Sequence, residues 1–289
     1  MKIKEPMDLG TRMKMYEHQN ENSIPENEHI IVRIDGHHFS KFTKKFNKPF
    51  DEIFSNTMIE TTKDLTERFT AFTGYTQSDE ITLVIPSLMD TTNYDVPKNH
   101  KPHKTIKKGW THINNGRTQK IVSLTAAYAT MRFNHHFKKF TELYFEQYVR
   151  NEDSQNDFEL IRTYNQSIGN AWFDARVFGV PSDEEAFNAV LWRIRDCVKN
   201  SKSMYAQAYC SHKELMYKNG QEQIDFCLEK TGNDWNEIAE HLKYGTLVKK
   251  ELYQKETEHG SVQRSQITTT VMKPTFSKEN VKFVMSKYF

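Results

Sequence analysis

Two strand-like runs carry acidic residues at one end, and this pairing constrains the chain more than any other feature. Ile30, Ile31 and Val32 lead into Arg33-Ile34-Asp35-Gly36, and Gln77-Ser78-Asp79-Glu80 leads into Ile81-Thr82-Leu83-Val84-Ile85. Short β-branched runs bounded by turn residues read as buried strands. If the two strands are neighbours, their carboxylates converge at one rim, where a pair of Mg²⁺ ions can be held against a triphosphate. That constellation suits nucleotidyl transfer. Each half alone is bland, because Asp-Gly is a common turn and hairpin tips are often acidic. The joint occurrence carries the argument.

The order of elements places the two runs. His29 to Ile34 reads as a strand, His37 to Phe50 as a basic aromatic loop, and Asp51 to Phe72 as a helix that Gly74 stops. Tyr75 to Ile85 forms two short strands around the Gln77-Ser78-Asp79-Glu80 turn, and Leu88 to Gly116 reads as a long exposed insertion. A long helix from about Arg117 to Val149 precedes a strand at Phe173 to Phe178. Ser182-Asp183-Glu184-Glu185 is a capping box opening a helix that reaches about Lys199. The fold class is therefore α+β, with a ferredoxin-like β-α-β-β-α-β palm, the arrangement of polymerase palms and nucleotide cyclases. Short helices through about Leu242 and strands at Tyr244 to Tyr253 and Ser265 to Val271 form the extension. The expected division is a palm-like catalytic domain at 1–199, with its basic insertion at about 87–116, and a helical and β extension at 200–289 packed on it.

Composition narrows the partners. The net charge of +2 conceals a stretch from Val96 to Thr141 with no Asp or Glu, ten Lys/Arg and five His. Such a segment points to a polyanion, either nucleotide phosphates or a nucleic acid backbone; a solvated loop is the alternative. No apolar run approaches the roughly 18 residues of a membrane-crossing helix. Met1 to Pro6 lacks the apolar core of a secretion signal. Cys197, Cys210 and Cys227 have no zinc-ligand spacing and read as reduced thiols of a cytoplasmic protein.

Asp35, the Gly36 carbonyl and Asp79 provide enough oxygen for an Mg²⁺ site completed by water and phosphate, with Glu80 as an adjacent carboxylate. Gly36 lacks a side chain and would let a phosphate or metal approach the backbone. Arg117 and Lys120 open the long helix and are candidates for triphosphate contacts, as are Lys44 and Lys45; each pair is equally readable as solvated surface. The adjacent pairs His37/His38 and His135/His136 cannot both face one metal from one helix side. His112-Ile113-Asn114-Asn115 lies in the insertion, away from any element, and Asp174 reads as a structural carboxylate at a strand end.

Taken together, Arg33-Ile34-Asp35-Gly36-x-x-Phe39, Lys48-Pro49-x-Asp51, Gln77-Ser78-Asp79-Glu80, Phe173-Asp174-Ala175-Arg176, Trp192-Arg193-x-x-Asp196 and Gly245-Thr246-x-Val248 occur in one order. The chain resembles the tRNA-histidine guanylyltransferase family over about residues 8 to 250. The resemblance implies addition of nucleotides to the 5′ end of tRNA, in the direction opposite to ordinary polymerases. It implies that Asp35, Gly36 and Asp79 hold two Mg²⁺ ions beside Glu80, with Asp35, Asp79 and Glu80 as the catalytic acids. It implies a nucleotide site lined by Asp35, Gly36, His37, His38, Phe39, Ser40, Ser78 and Asp79, with Lys44, Arg117 and Lys120 on triphosphate oxygens. ATP and GTP or another NTP are the implied substrates, tRNA the partner and a tetramer the assembly. The family pattern also has His-Ile-Asn-Asn after the Trp-Arg-x-x-Asp helix; here Val198-Lys199-Asn200-Ser201 stands there and keeps one Asn. That departure resembles the guanylyltransferase-like branch, which favours templated repair of 5′-truncated tRNA. G addition to tRNA-His, a palm-fold nucleotide cyclase and a non-catalytic tRNA-binding protein remain as alternatives.

Overall fold

The computed structural model describes residues 7–88, 111–151, 155–258 and 260–289. In chain order it contains α1 (Leu9–His18), β1 (His29–Gly36), α2 (Phe39–Phe42), α3 (Glu52–Arg68), β2 (Thr73–Gln77), β3 (Glu80–Ile85), α4 (Thr118–Asn151) and α5 (Gln155–Ser167). β4 (Phe173–Val180), α6 (Asp183–Tyr209), α7 (His212–Leu215), α8 (Gly220–Thr231), α9 (Glu240–Tyr244), β5 (Thr246–Thr257), β6 (Gly260–Thr270) and α10 (Lys278–Met285) follow. One six-stranded sheet has the order β4-β1-β3-β2-β5-β6, with every neighbouring pair antiparallel. The first four strands form the ferredoxin-like arrangement, and the terminal hairpin extends it beside β2.

Alternation along the strands builds two layers. Ile30, Val32 and Ile34 of β1, with Ile81, Leu83 and Ile85 of β3, face α3 and α4, where Leu65, Phe133 and Phe137 complete the core. Ile31 and Val84 face the other way, against Ala186, Phe187, Val190 and Ile194 of α6 and Val284 of α10. A smaller cluster of Tyr205, Leu215, Ile224 and Trp235 ties α7 and α8 to the second half of α6. Burial of each large apolar side chain contributes about 1.5–3 kcal/mol. α6 crosses position 199/200 without a break, and β5 hydrogen-bonds to β2 across Gly74↔Val248 and Thr76↔Thr246.

Several local expectations need correction. α3 ends at Arg68 rather than near Phe72, because Thr70 adopts a left-handed φ of 53° and the Phe72 N–H is drawn into the sheet by Val84 O at 2.8 Å. Gly74 is thus no helix stop; it lies in β2, where a Cβ would sit 2.2 Å from Thr66 Oγ1. α6 runs on to Tyr209, beyond the expected end at Lys199, since Ser201, Tyr205 and Ala206 continue its buried face. Residues 111–116 are packed rather than an exposed insertion. Ile113–Gly116 form a 3-10 turn, and the buried His112 places Nε2 3.1 Å from both Pro25 O and Glu28 O. The core of the basic segment, Lys98 to Lys108, lies outside the described residues.

The C-terminal tail is bound to the sheet. Lys249 on β5 is fully buried, and its Nζ donates to Ser286 O (2.7 Å), Thr73 Oγ1 (3.0 Å), Phe72 O (3.2 Å) and Val284 O (3.4 Å). Two of those carbonyls end α10, where a cation is favoured. Gly245, at φ 75°, turns the chain from α9 into β5 directly over Tyr75, whose hydroxyl would lie 2.3 Å from any Cβ there.

Candidate active site

The sheet register assembles the acidic rim. Asp35, at the end of β1, is paired with Glu80 on β3 and with Asp174 on β4. Asp79 joins them at the hairpin tip, where its carbonyl accepts the Gly36 N–H at 3.0 Å. The tip is tight enough to put Ser78 at φ 49°, a conformation usually left to glycine. Asp35, Gly36, Ser78, Asp79 and Glu80 are thus brought together, as the sequence implies. Asp174 stands level with Asp35, and its side chain has no hydrogen bond or ion pair among the described residues.

Electrostatics mark two of these groups. Burial raises the Asp35 pKa, and the charges of Glu80 and Asp174 raise it further against Arg176 and Arg33. Burial pushes Asp79 up to about 6, with Asp35 and Glu80 adding to the rise and its own backbone N–H and the Ser78 hydroxyl opposing it. Neither Asp35 nor Asp79 has an ion pair within 4.0 Å among the described residues. Glu80 does. Its Oε1 meets Arg33 Nη2 at 3.3 Å, and its Oε2 accepts from Gln77 Nε2 at 2.9 Å and from Arg193 Nη2. Glu80 therefore ties β1, β3 and α6 into one ion-pair network, an arrangement of a positioning residue.

Beside Asp79 opens a cavity of about 410 Å³. Phe39 and Ser40 from α2, Ser78 and Asp79 from the hairpin, and Asn200 and Ser201 from α6 are among its lining residues. Lys48 supplies a cation to the lining, and His241, whose burial lowers its pKa, supplies a neutral imidazole. The far wall, between Cys197 and Thr246, was not legible from local motifs. Cys197 is pushed up to about 12 by burial and is chemically quiet; Cys210 and Cys227 are also buried and free.

The remaining candidates divide. His37 and His38 are exposed at the rim, their rings 4.0 Å apart, and His37 N–H donates to Trp172 O at 2.9 Å. Phe39 is buried, and its ring lies where a Gly36 Cβ would come within 2.5 Å. Gly36 is therefore required by that ring, which is a different reason from the open approach to the backbone inferred from sequence. Lys44 is exposed on the loop and does not line the cavity.

Arg117 and Lys120 are a correction. Gly116 O accepts from Ile24 N at 3.0 Å, and Ile24 packs against Gly179, the partner of Ile30. Five residues of strand separate Ile30 from Asp35, roughly 16 Å. α4 thus opens at the opposite end of the sheet, where Arg117 Nη1 pairs with Glu21 Oε1 at 3.1 Å.

The donor set fits a small hard cation, since Asp35, Asp79 and the Gly36 carbonyl offer oxygen only and the carboxylates repel one another. Among the described residues no three His, Cys, Asp or Glu side chains form a metal cage by themselves. Phosphate oxygens would have to complete the coordination, as is usual for Mg²⁺.

A family model for tRNAHis guanylyltransferase (Thg1) matches residues 10–181. This chain belongs to the tRNAHis guanylyltransferase family. Its members are tRNA guanylyltransferases, so the chain is a nucleotidyltransferase by class. A bacterial Thg1-like protein in complex with GTP is 30% identical with a TM-score of 0.65, covering 96% of this chain and 99% of that one. A bacterial Thg1-like protein in complex with ATP is 30% identical with a TM-score of 0.64, covering 89% of this chain and 92% of that one. Uncharacterized protein R259 of Acanthamoeba polyphaga mimivirus is 35% identical over 290 residues, 99% of this chain and 91% of the relative. The tRNA(His) guanylyltransferase of Saccharomyces cerevisiae, at 21% identity and a TM-score of 0.59, covers 86% and 94% and shares the fold. The Thg1 match ends before α6, so Arg193 and the far cavity wall lie beyond it.

Proposed function

We propose that this Thg1-family chain adds nucleotides to the 5′ end of tRNA in the 3′-to-5′ direction, chiefly as template-directed repair of 5′-truncated tRNA. The observation that carries the reading is the convergence of Asp35, Gly36 and Asp79 at one rim of the sheet, where Asp79 also lines a cavity of about 410 Å³, within the size range of small-molecule sites. ATP or GTP bound to the bacterial relatives supports a nucleoside triphosphate as the occupant. The replacement of His-Ile-Asn-Asn by Val198-Lys199-Asn200-Ser201, on a stretch of α6 whose Asn200 and Ser201 line that cavity, supports repair over addition of an unpaired G.

The chemistry proceeds in two displacements. A 5′-monophosphate oxygen of the RNA attacks the α-phosphorus of ATP, forming a pyrophosphate link and releasing pyrophosphate. The 3′-hydroxyl of the incoming NTP then attacks the RNA 5′ phosphorus, losing its proton to solvent as AMP leaves. A 5′-triphosphate end skips the first step. Asp35 and Asp79, with the Gly36 carbonyl, would hold Mg²⁺, which when bound neutralises phosphate charge and orients the reacting oxygens. Lys48 at the cavity lining suits the triphosphate, and Ser40 and Ser78 offer hydroxyls to it. The Arg33–Glu80–Arg193 network keeps β1, β3 and α6 in register, so the rim holds its geometry without rearranging. The tRNA-processing role makes the cytoplasm its working compartment, and no helix of the described residues is long and apolar enough to cross a membrane.

Labelled-NTP incorporation into tRNAs lacking one 5′ nucleotide, with each base at the opposing position, tests the reading. The added base should follow the template. Addition of G alone, whatever the template, would reject repair in favour of guanylylation.

A further inference from the structure

β4 is the outer strand of the sheet, and α6 does not cover it. Its alternation leaves one face with Trp172, Asp174, Arg176 and Phe178 in sequence, while Phe173, Ala175 and Val177 turn to the core on the other side. Trp172 is 65% exposed and Phe178 37%, which is unusual for large aromatics on a sheet face with α6 near by. Trp192 of α6, 51% exposed, borders the same face: the Arg33 and Arg193 guanidiniums each lie 4.7 Å from its ring centre, its outer edge stays open, and Arg33 is register-paired with Arg176.

The charges agree with the aromatics. Arg176 directly opposes Arg33, a like-charge pairing that is unfavourable across strands; the Asp35 carboxylate feels both charges but forms an ion pair with neither. Among the described residues Arg176 has no ion-pair partner within 4.0 Å, whereas Arg33 is taken by Glu80. Arg195 and Lys199, three and seven residues after Trp192 on α6, extend an exposed cationic stripe from it. One end of this strip is Asp174, level with Asp35.

We propose that this open face of β4, bordered by Trp192, seats the 5′-terminal nucleotides of the RNA substrate. Nucleobases stack on the exposed aromatics, a sequence-tolerant contact, while Arg176 takes a backbone phosphate with Arg195 and Lys199 beyond it. The inference rests on the nucleotidyltransferase reading and adds the direction of approach. The incoming nucleotide occupies the cavity on the hairpin and α3 side of Asp79, the RNA end lies over β4, and the carboxylates stand between them. Reactants arriving from opposite sides suit an in-line displacement.

The test separates the two substrates kinetically. Trp192→Ala and Arg176→Gln should each raise KM for 5′-truncated tRNA roughly five- to hundred-fold, well beyond any change in KM for the NTP. Trp192→Phe, which keeps a stacking face, should recover most of the loss. For Arg176→Gln the log–log salt dependence of labelled-tRNA anisotropy should flatten by about 0.7. Both side chains are at the surface, and thermal melts check folding; Arg176→Gln alone carries the test if Trp192→Ala melts early. An unchanged RNA KM in active variants overturns the inference, and so does an equal rise in both KM values. Dissociation of an oligomer on gel filtration by both variants would make the face a subunit contact and overturn it likewise. A wild-type protein inactive on every RNA 5′ end would instead overturn the nucleotidyltransferase reading.

Discussion

Lys249 and the Asp35–Asp79 pair are both withdrawn from water by the same sheet, yet their surroundings are opposite. The Lys249 ammonium meets three carbonyls and a hydroxyl, every one within 3.4 Å. The two carboxylates meet each other, with Glu80 and Asp174 close by; Arg33 is drawn onto Glu80 together with Arg193, and Arg176 offsets the repulsion at Asp35 without an ion pair to it. A charge whose every bond is made is a staple, and it holds β5, β2 and α10 together. Charges left facing like charges are a site waiting for a cation, and selection for stability alone would not keep them.

The sharpest way to break this comparison is Asp79→Asn. It removes a carboxylate where a ligand is needed, so Mg²⁺-dependent nucleotide addition should fall by at least about 10²–10³-fold. The same change relieves repulsion at a buried position, so the melting temperature without Mg²⁺ should hold or rise. Retained activity would remove Asp79 from the metal set. A large loss of stability would show that the carboxylate is structural after all.

Lys249→Met should do the reverse. It keeps the stem and removes every hydrogen bond from Nζ, taking the ammonium from Ser286 O while Val284 O keeps the Thr73 hydroxyl at 2.6 Å, a loss of about 3 kcal/mol in urea unfolding. Catalysis per folded molecule should be little changed. The lysine also predicts a pH signature. Burial pushes its pKa down from 10.5 to about 7, so between those values the unfolded chain binds the extra proton. Stability from this group is full above about pH 10.5, falls as pH drops towards about 7 and levels off below. Urea midpoints of the wild type should therefore decline from pH 10 to 7 more steeply than those of Lys249→Met. Parallel profiles would mean that the four oxygens hold the proton despite burial.

The sequence made the rim readable because its two strands are short, β-branched and locally punctuated. The βαββαβ order then makes β1 and β3 neighbours, and Asp35 meets Glu80 and Asp79 without further information. Arg117 and Lys120 were misplaced for a reason visible in chain direction. β3 begins at the acidic rim with Glu80 and ends at the other rim with Ile85, so a helix that follows it starts far from Asp35 unless the insertion crosses back. The same logic, applied to β4, gives the cavity wall. β4 leaves the rim at Phe173, so α6 starts at the far side and returns, bringing Arg193 to Glu80 and Asn200 and Ser201 to the cavity. Lys249 was hidden among other tail lysines, because nothing local announces that α10 folds back over β5.

The smallest expected effect is the most diagnostic of the rim as a functional rather than a structural arrangement. Ser78 holds φ 49° at the hairpin tip, where glycine would rest without strain. Ser78→Gly should therefore be neutral to stabilising, by up to about 1 kcal/mol, with part of the gain offset by the freer unfolded chain. Yet the Ser78 hydroxyl hydrogen-bonds the Asp79 carboxylate and faces the cavity, so the same change should weaken NTP use several-fold. Chemical denaturation and nucleotide-addition kinetics on one preparation read both quantities. A variant that is more stable and less active would show that the strain at this tip serves the orientation of Asp79. A variant less stable and fully active would place Ser78 with Lys249, among the residues that hold the fold.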